Sequence, residues 1–169
     1  MLDLIKANIR KEEGLKLQAY KPIKSEKYYT IGYGRYGPTI KEEDVITLEQ
    51  AEQFLTEDVN SRLKEINNLL PDFNSYPLEV QVALFSEYYR GSIGQSPKTI
   101  KLLNEKKYTE AAIEFLNNKE YKNAVELGKP GIRKRMEEVS KAIKILEDIN
   151  NAPLHWTTTR RSLAGKLQG

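Results

Sequence analysis

One glutamate in this sequence lies where an acid would be partly removed from water. Ile5, Ile9 and Glu13 follow one another at intervals of four residues, so they share one face of a predicted helix. Glu12 points about 100° away from that face. Burial raises the pKa of a carboxyl group and keeps it protonated near neutral pH, as a general acid requires. Glu13 is therefore the first candidate for chemistry, although a helix that frays early would leave it in solvent.

The second candidate is the tract from Tyr28 to Gly34, which mixes tyrosines with glycines. Tyrosine rings have apolar faces and their hydroxyls form hydrogen bonds, which suits contact with sugar rings. The glycines allow tight turns and leave space above a groove. The alternative is a hairpin rich in glycine and tyrosine that binds no ligand.

The residue types that are missing exclude several chemistries. The chain has no cysteine and a single histidine, His155. Disulfides, thiolate nucleophiles and zinc–thiolate sites are therefore excluded, and a Ser-His-Asp triad is not expected. Acid–base chemistry must come mainly from carboxylates, with tyrosine and threonine hydroxyls in support. No metal or cofactor is predicted.

The elements that would position these candidates change character along the chain. Residues 2 to about 13 predict a short amphipathic helix. Between Leu17 and Ile40, aromatic and β-branched residues broken by glycines predict a two- or three-stranded antiparallel sheet. Thr47 and Gln50 form a capping box that begins a helix, and Pro71 ends it.

Beyond Pro71 the pattern predicts further helices. One runs from Pro77 to near Gly91, and others follow from Pro97, from Thr109 and from Ile132, with a loop at residues 128–131. A small sheet beside many helices belongs to the α+β class, and we expect a cleft between a sheet lobe and a larger helical lobe. Residues 1–150 are predicted to be one domain, followed by a tail at 151–169.

Charge and hydropathy limit the partners. No apolar run approaches the roughly 20 residues of a membrane helix, and Asp3, Lys6 and Arg10 do not fit a secretory signal. Membrane insertion is not expected, and the protein is expected to be made in a cytoplasm without a signal-peptide route out. The net charge of +3 and the Arg160-Arg161 pair are a weak footprint for nucleic acid, so no nucleic-acid partner is expected.

Two blocks near the N-terminus resemble the signature of the phage-type lysozymes. These muramidases of the T4-lysozyme superfamily occur as endolysins and tail-associated lysozymes. Glu13–Tyr20 reads E-G-x-x-L-x-A-Y, and Thr30–Gly34 reads T-I-G-Y-G. Downstream, Tyr88–Gly91 resembles a helix end that lines the family's cleft, and Gly131–Glu137 resembles a glycine- and arginine-containing segment late in the helical lobe.

The resemblance implies a lysozyme-like fold and a role for each matching residue. Glu13 would protonate the glycosidic oxygen between MurNAc and GlcNAc in bacterial peptidoglycan, and Thr30 would hold the attacking water. Arg133 and Arg135 would be structural or late-cleft residues. The residues expected to contact the substrate are Tyr28, Tyr33, Arg35, Tyr88 and Arg90.

Two positions depart from the family pattern. An Asp or Cys usually stands nine residues after the glutamate, where this chain has Pro22, which has no acidic side chain. Some small phage endolysins share the longer loop found here and carry Glu in an E-K-x-Y-T context, so Glu26 is a candidate second carboxylate; the alternative is a solvent-exposed loop acid. Arg35 stands where the family usually has His, and its permanent charge would lower the pKa of a nearby carboxyl group.

These departures leave three functions open. Hydrolysis by water is the first. A lytic transglycosylase, in which a hydroxyl of the sugar attacks, needs only one acid. A non-catalytic, wall-binding piece of a phage tail is the third. Bacterial peptidoglycan is the expected partner, together with phage virion proteins in the virion-associated case. The protein would act from the host cytoplasm at lysis or from the virion at entry.

Overall fold

Helix α1 spans Leu2–Glu13 and buries the face that carries Ile5 and Ile9. The computed structural model of the chain describes residues 1–91, 93–128 and 130–152. The predicted first helix is confirmed, and Glu13 is its last residue. Gly14 follows with φ of 69°, a conformation that glycine adopts without strain, and its N–H donates to the carbonyl of Arg10.

Three short strands form one antiparallel sheet in the order β1-β2-β3, which confirms the predicted sheet. The strands are β1 at Lys16–Tyr20, β2 at Tyr29–Gly32 and β3 at Arg35–Gly37. In the register, Thr30 of β2 lies opposite both Tyr20 and Tyr36. Ala19, Ile31 and Ile40 form a small apolar cluster on the sheet.

Helix α2 spans Leu48–Leu69 and begins at the predicted capping box. The Thr47 hydroxyl accepts from the Gln50 N–H at 3.1 Å, and the Gln50 side chain accepts from the Thr47 N–H at 2.8 Å. The helix ends just before Pro71. It buries one face, whose residues follow one another at helical spacing: Ala51, Leu55, Val59 and Ile66.

Five more helices follow within the described residues: α3 at Leu78–Arg90, α4 at Pro97–Asn104, α5 at Tyr108–Phe115, α6 at Lys119–Glu126 and α7 at Pro130–Asn150. The predicted loop at 128–131 is wrong at its end, because Pro130 already belongs to α7, where a proline is favoured in the first turn. Helix α6 was not predicted, because Ala124 is its only buried residue and the apolar periodicity is weak.

The chain divides into two units, and α3 contributes to both. The first unit contains Met1–Asn74 and the segment that starts at Leu84 in α3; the second contains Ser75–Ala83 and the chain from Ile93 onward. A three-stranded antiparallel sheet with many helices confirms the α+β class. Within the described residues, no helix combines the length and apolar composition that a membrane crossing requires. The predicted tail lies outside the described residues from position 153 onward.

Candidate active site

The carboxyl group of Glu13 is enclosed at the end of α1. The residue is half-buried, and its Oε1 atom is shielded from solvent. This placement follows from the helix itself, because Glu13 continues the face on which Ile5 and Ile9 are fully buried. A carboxyl group in such surroundings is suited to carry a proton to a substrate.

Gly34, in the turn between β2 and β3, packs directly on this carboxyl group. A Cβ atom built on Gly34 would lie 3.3 Å from Glu13 Oε2 and 3.6 Å from Glu13 Cδ. The φ of Gly34 is 86°, which side chains rarely tolerate. Glycine is thus favoured here for two reasons, the backbone conformation and the close approach to the Glu13 carboxyl group.

Replacing Gly34 with alanine is expected to lower activity by about tenfold, because the new methyl group would move the Glu13 carboxyl group by a few tenths of an ångström. The positive φ also costs about 1–3 kcal/mol of stability. Gly128→Ala is the matched control, since its φ is 62° but nothing lies within 4 Å of the added Cβ. Activity and melting temperature are measured for both variants, and an equal loss of activity in Gly128→Ala would show that backbone strain alone is responsible.

Tyr33 precedes Gly34 and is held at both of its polar ends. Its hydroxyl donates to Glu52 Oε1 at 2.8 Å, and its carbonyl accepts from the Tyr89 hydroxyl at 3.0 Å. Only 8% of Tyr33 is exposed. Glu52 also accepts from Arg10 Nε at 2.9 Å and from Arg10 Nη2 at 2.5 Å. One carboxylate of α2 thereby joins α1 to the turn that covers Glu13.

The titration of Glu52 reflects these bonds. The hydrogen bonds from Arg10 are the main cause that lowers the pKa of Glu52, and the hydrogen bond from the Tyr33 hydroxyl lowers it further. Burial acts in the opposite direction, and the resulting pKa is about 2.

The pKa of Tyr89 is raised. The main cause is burial, and the negative charges of Asp58 and Glu13 raise it further. The Tyr89 hydroxyl therefore stays protonated and remains a hydrogen-bond donor at all ordinary pH values.

The depressed pKa of Glu52 predicts a pH-dependent contribution to stability. The folded value of about 2 lies below the ordinary 4.5, so the contribution is complete above pH 4.5 and is lost as pH falls toward 2. We expect the difference in melting temperature between wild type and Glu52→Gln to shrink over this window. Thermal melts at half-unit pH steps measure it, and a difference that stays constant down to pH 2 would contradict the prediction.

Arg35 binds the carboxylates of α2. Its guanidinium contacts Asp58 at 2.7 Å and Glu57 at 2.9 Å, and it lies 4.0 Å from the centre of the Phe54 ring. These contacts fasten the start of β3 to α2. The sequence interpretation had Arg35 acting on the acid or contacting substrate; the hydrogen bonds described for it go to residues of α2.

Thr30 and Glu26 lie in and before β2. Thr30 is buried in β2, opposite Tyr20 and Tyr36. Glu26 is half-buried in the loop that joins β1 to β2, where its N–H donates to the Ile23 carbonyl at 3.0 Å. Its Oε2 atom is shielded from solvent and has no hydrogen-bond partner in the described part of the chain.

The remaining residues that were predicted to contact the substrate, Tyr28, Tyr88 and Arg90, each contact another residue of the protein. Tyr28 packs at 5.4 Å on the Tyr36 ring, and its N–H donates to the Tyr36 hydroxyl. The Tyr88 hydroxyl donates to Glu65 at 2.6 Å. Arg90 pairs with Glu87 at 2.8 Å, and Glu87 is fully buried.

Sequence reasoning did not identify Arg10, Glu52 or Tyr89 as part of this site. Arg10 and Glu52 are 42 positions apart, and Glu52 stands in a helix rich in alternating charges, which is typical of a solvated surface. The available signal for Arg10 was its position one turn before Glu13, and Tyr89 lay inside the Tyr88–Gly91 segment that had been singled out.

A helix that ends in an enclosed glutamate, followed by a three-stranded sheet whose glycine turn covers that glutamate, defines an α+β protein of the lysozyme-like class. A model of the phage lysozyme family matches residues 10–138, about three quarters of the chain. The chain belongs to the phage lysozyme family.

Two curated relatives are endolysins of bacteriophages. Over 109 residues the chain is 39% identical to the endolysin of Bacillus phage PZA, which covers 63% of this chain and 42% of that protein. Over 111 residues it is 38% identical to the endolysin of Bacillus phage B103, which covers 64% and 41%. The chain therefore spans about two fifths of the length of the curated relatives it matches.

Proposed function

We propose that this chain hydrolyses the β-1,4 glycosidic bond between MurNAc and GlcNAc in bacterial peptidoglycan, with Glu13 as the general acid. The observation that carries the proposal is the enclosure of the Glu13 carboxyl group between the end of α1 and Gly34. Membership of the phage lysozyme family and the likeness to two phage endolysins support the same activity.

In the proposed reaction Glu13 gives its proton to the glycosidic oxygen while the bond from that oxygen to C1 of the sugar breaks. A water molecule attacks C1, where positive oxocarbenium-like charge develops, forms the new C1–O bond and releases its proton. Glu13 is left as a carboxylate and regains a proton from solvent before the next cycle.

Glu26 is the group that we propose accepts the proton of the attacking water, and Thr30 the group that orients this water. The Oε2 atom of Glu26, which is shielded from solvent, and the burial of Thr30 in the strand that precedes the Gly34 turn support these roles. In this assignment Glu26 replaces the acid that Pro22 cannot provide. Among the predicted contact residues, Tyr28, Tyr88 and Arg90 retain the sugar-binding role, with their protein partners holding them in place.

The biological setting that we propose is breakdown of the host wall by a phage, at lysis or at entry. Peptidoglycan is the partner in both cases, reached from the host cytoplasm or carried on the virion beside other phage proteins. Residues 1–150 would form the catalytic domain, and the tail would serve attachment.

Product analysis tests the reaction. Purified peptidoglycan is digested, the products are reduced with borohydride, and the fragments are identified by mass spectrometry. Hydrolysis of the proposed bond leaves reducing-end MurNAc, which becomes N-acetylmuramitol. Fragments lighter by one water, which resist reduction, would instead identify a lytic transglycosylase, and N-acetylglucosaminitol would show that the other glycosidic bond is cut.

A further inference from the structure

We propose that Tyr33 is a positioning residue, braced by Glu52 and Tyr89 so that the Gly34 turn holds the Glu13 carboxyl group in place for proton transfer. This inference rests on the proposed role of Glu13 as the acid. It assigns Tyr33 to the interior of the site and not to the sugar-stacking role that the sequence indicated.

The first part of the brace fixes the end of α1. Arg10 lies one helical turn before Glu13, and its carbonyl accepts from the Gly14 N–H at 3.1 Å. Its guanidinium binds Glu52 through Nε and Nη2 at 2.9 and 2.5 Å, a two-point contact that sets orientation as well as distance. The last turn of α1, which carries the acid, is thereby tied to α2.

The second part ties the turn to the same carboxylate. Glu52 Oε1, which accepts from Arg10 Nε, also accepts from the Tyr33 hydroxyl at 2.8 Å. The end of α1 and the turn are therefore joined through a single carboxylate. Since Tyr33 is almost fully buried and its hydroxyl is engaged, its ring has little surface to offer a sugar.

The third part fixes the peptide bond that enters Gly34. The Tyr89 hydroxyl donates to the Tyr33 carbonyl at 3.0 Å. Because a peptide unit is planar, holding that oxygen also holds the nitrogen of Gly34. Tyr89 itself is held by Arg62, which lies 4.6 Å from the centre of its ring and donates to its carbonyl at 2.8 Å.

Together these bonds determine where Gly34 meets the acid. A methyl group on Gly34 would lie 3.3 Å from Glu13 Oε2, so the carboxyl group would have to move by a few tenths of an ångström to accept it. A shift of the turn would change the position of the proton relative to the glycosidic oxygen without changing the rest of the substrate contacts. Misplacement of a reacting group by about 1 Å is enough to cost up to about 100-fold in rate.

The test removes one hydroxyl at a time. Tyr33→Phe and Tyr89→Phe are each expected to lower kcat about tenfold on soluble, uncross-linked peptidoglycan strands, with KM unchanged within about twofold. Both hydroxyls position the same turn, one through the Tyr33 side chain and the other through the Tyr33 carbonyl, so the loss in the double variant is expected to be smaller than the product of the two single losses. All rates are measured well below the melting temperature of each variant.

The second unit of the chain offers a matched control. The Tyr121 hydroxyl donates to Glu137 Oε1 at 2.8 Å, and Arg133 Nε lies 3.7 Å from the same oxygen. Tyr121→Phe removes the same kind of hydrogen bond from the same three residue types and is expected to leave kcat unchanged. An equal loss of kcat in Tyr121→Phe would overturn the proposal, because it would reflect general loosening.

Two other results would also overturn it. If Tyr33→Phe raises KM and leaves kcat unchanged, Tyr33 contacts the substrate directly. If both tyrosine variants keep the wild-type kcat while Glu13→Gln is inactive, the brace has no positioning role although the acid is correctly assigned. If Glu13→Gln remains active, the proposed function itself fails, so the two failures are distinguishable.

Discussion

Glu13→Gln is expected to abolish wall clearing, with a loss in rate of at least about 1,000-fold. Glutamine has nearly the same shape as glutamate, so it fits between the end of α1 and Gly34, but it has no proton to give to the leaving oxygen. The measurement is the initial rate at which purified cell walls lose turbidity. The melting temperature of the variant should stay near that of wild type, which separates lost chemistry from lost fold.

Glu12→Gln is the control for this variant. Glu12 is exposed and precedes Glu13 on the same helix, so its substitution makes the same carboxyl-to-amide change at nearly the same place. It is expected to clear walls at the wild-type rate. If wild type and both variants all fail to clear walls, the chain is a structural or wall-binding component, and if Glu13→Gln still clears them, another group is the acid.

Glu26→Gln is expected to lower the rate of hydrolysis by about 100-fold, within the range typical of a lost general base. The amide cannot take the proton of the attacking water. The same change should leave a lytic transglycosylase nearly unaffected if that reaction needs only the acid. Glu26→Gln therefore distinguishes hydrolysis from lytic transglycosylation. Glu13→Gln does not distinguish them, because both reactions require a proton donor.

The position of Glu26 allows a sharper experiment with azide. In Glu26→Ala, azide needs no base to attack C1, so added azide is expected to restore bond cleavage and give a glycosyl azide, while Glu13 still protonates the leaving oxygen. Glu43→Gln, an exposed acid in the loop that follows the sheet, is the control and should behave like wild type. Full activity of Glu26→Ala without azide would show that Glu26 is only a loop acid.

Much of the fold was predictable because its causes are local in sequence. The four-residue spacing of Ile5, Ile9 and Glu13 is sufficient to place the glutamate at a helix face, and burial of the two isoleucines confirms it. The Thr47–Gln50 capping box depends on residues three apart, and it forms as predicted. Helix α6 shows the limit of this reasoning, since a short helix with one buried residue has little periodicity to detect.

The motif blocks carried the family assignment further than periodicity alone. The E-G-x-x-L-x-A-Y and T-I-G-Y-G blocks predicted the phage-type lysozymes, and the family match confirms the resemblance. The roles of Glu13, Thr30 and Glu26 stay predictions, to be decided by the experiments above. The same holds for the domain assignment of residues 1–150.

The sequence by itself determined that a glutamate ends an apolar helix face and that a glycine-rich hairpin follows it. Both features depend on residues that are close to one another in the sequence. Only the tertiary structure decided what surrounds that glutamate: Gly34 against its carboxyl group, and Glu52 joining Arg10 to Tyr33 across separations of 42 and 19 residues. The reason is physical, because a charged residue on α2 has the same local preferences whether it faces solvent or closes a hydrogen-bond network, and only packing separates the two.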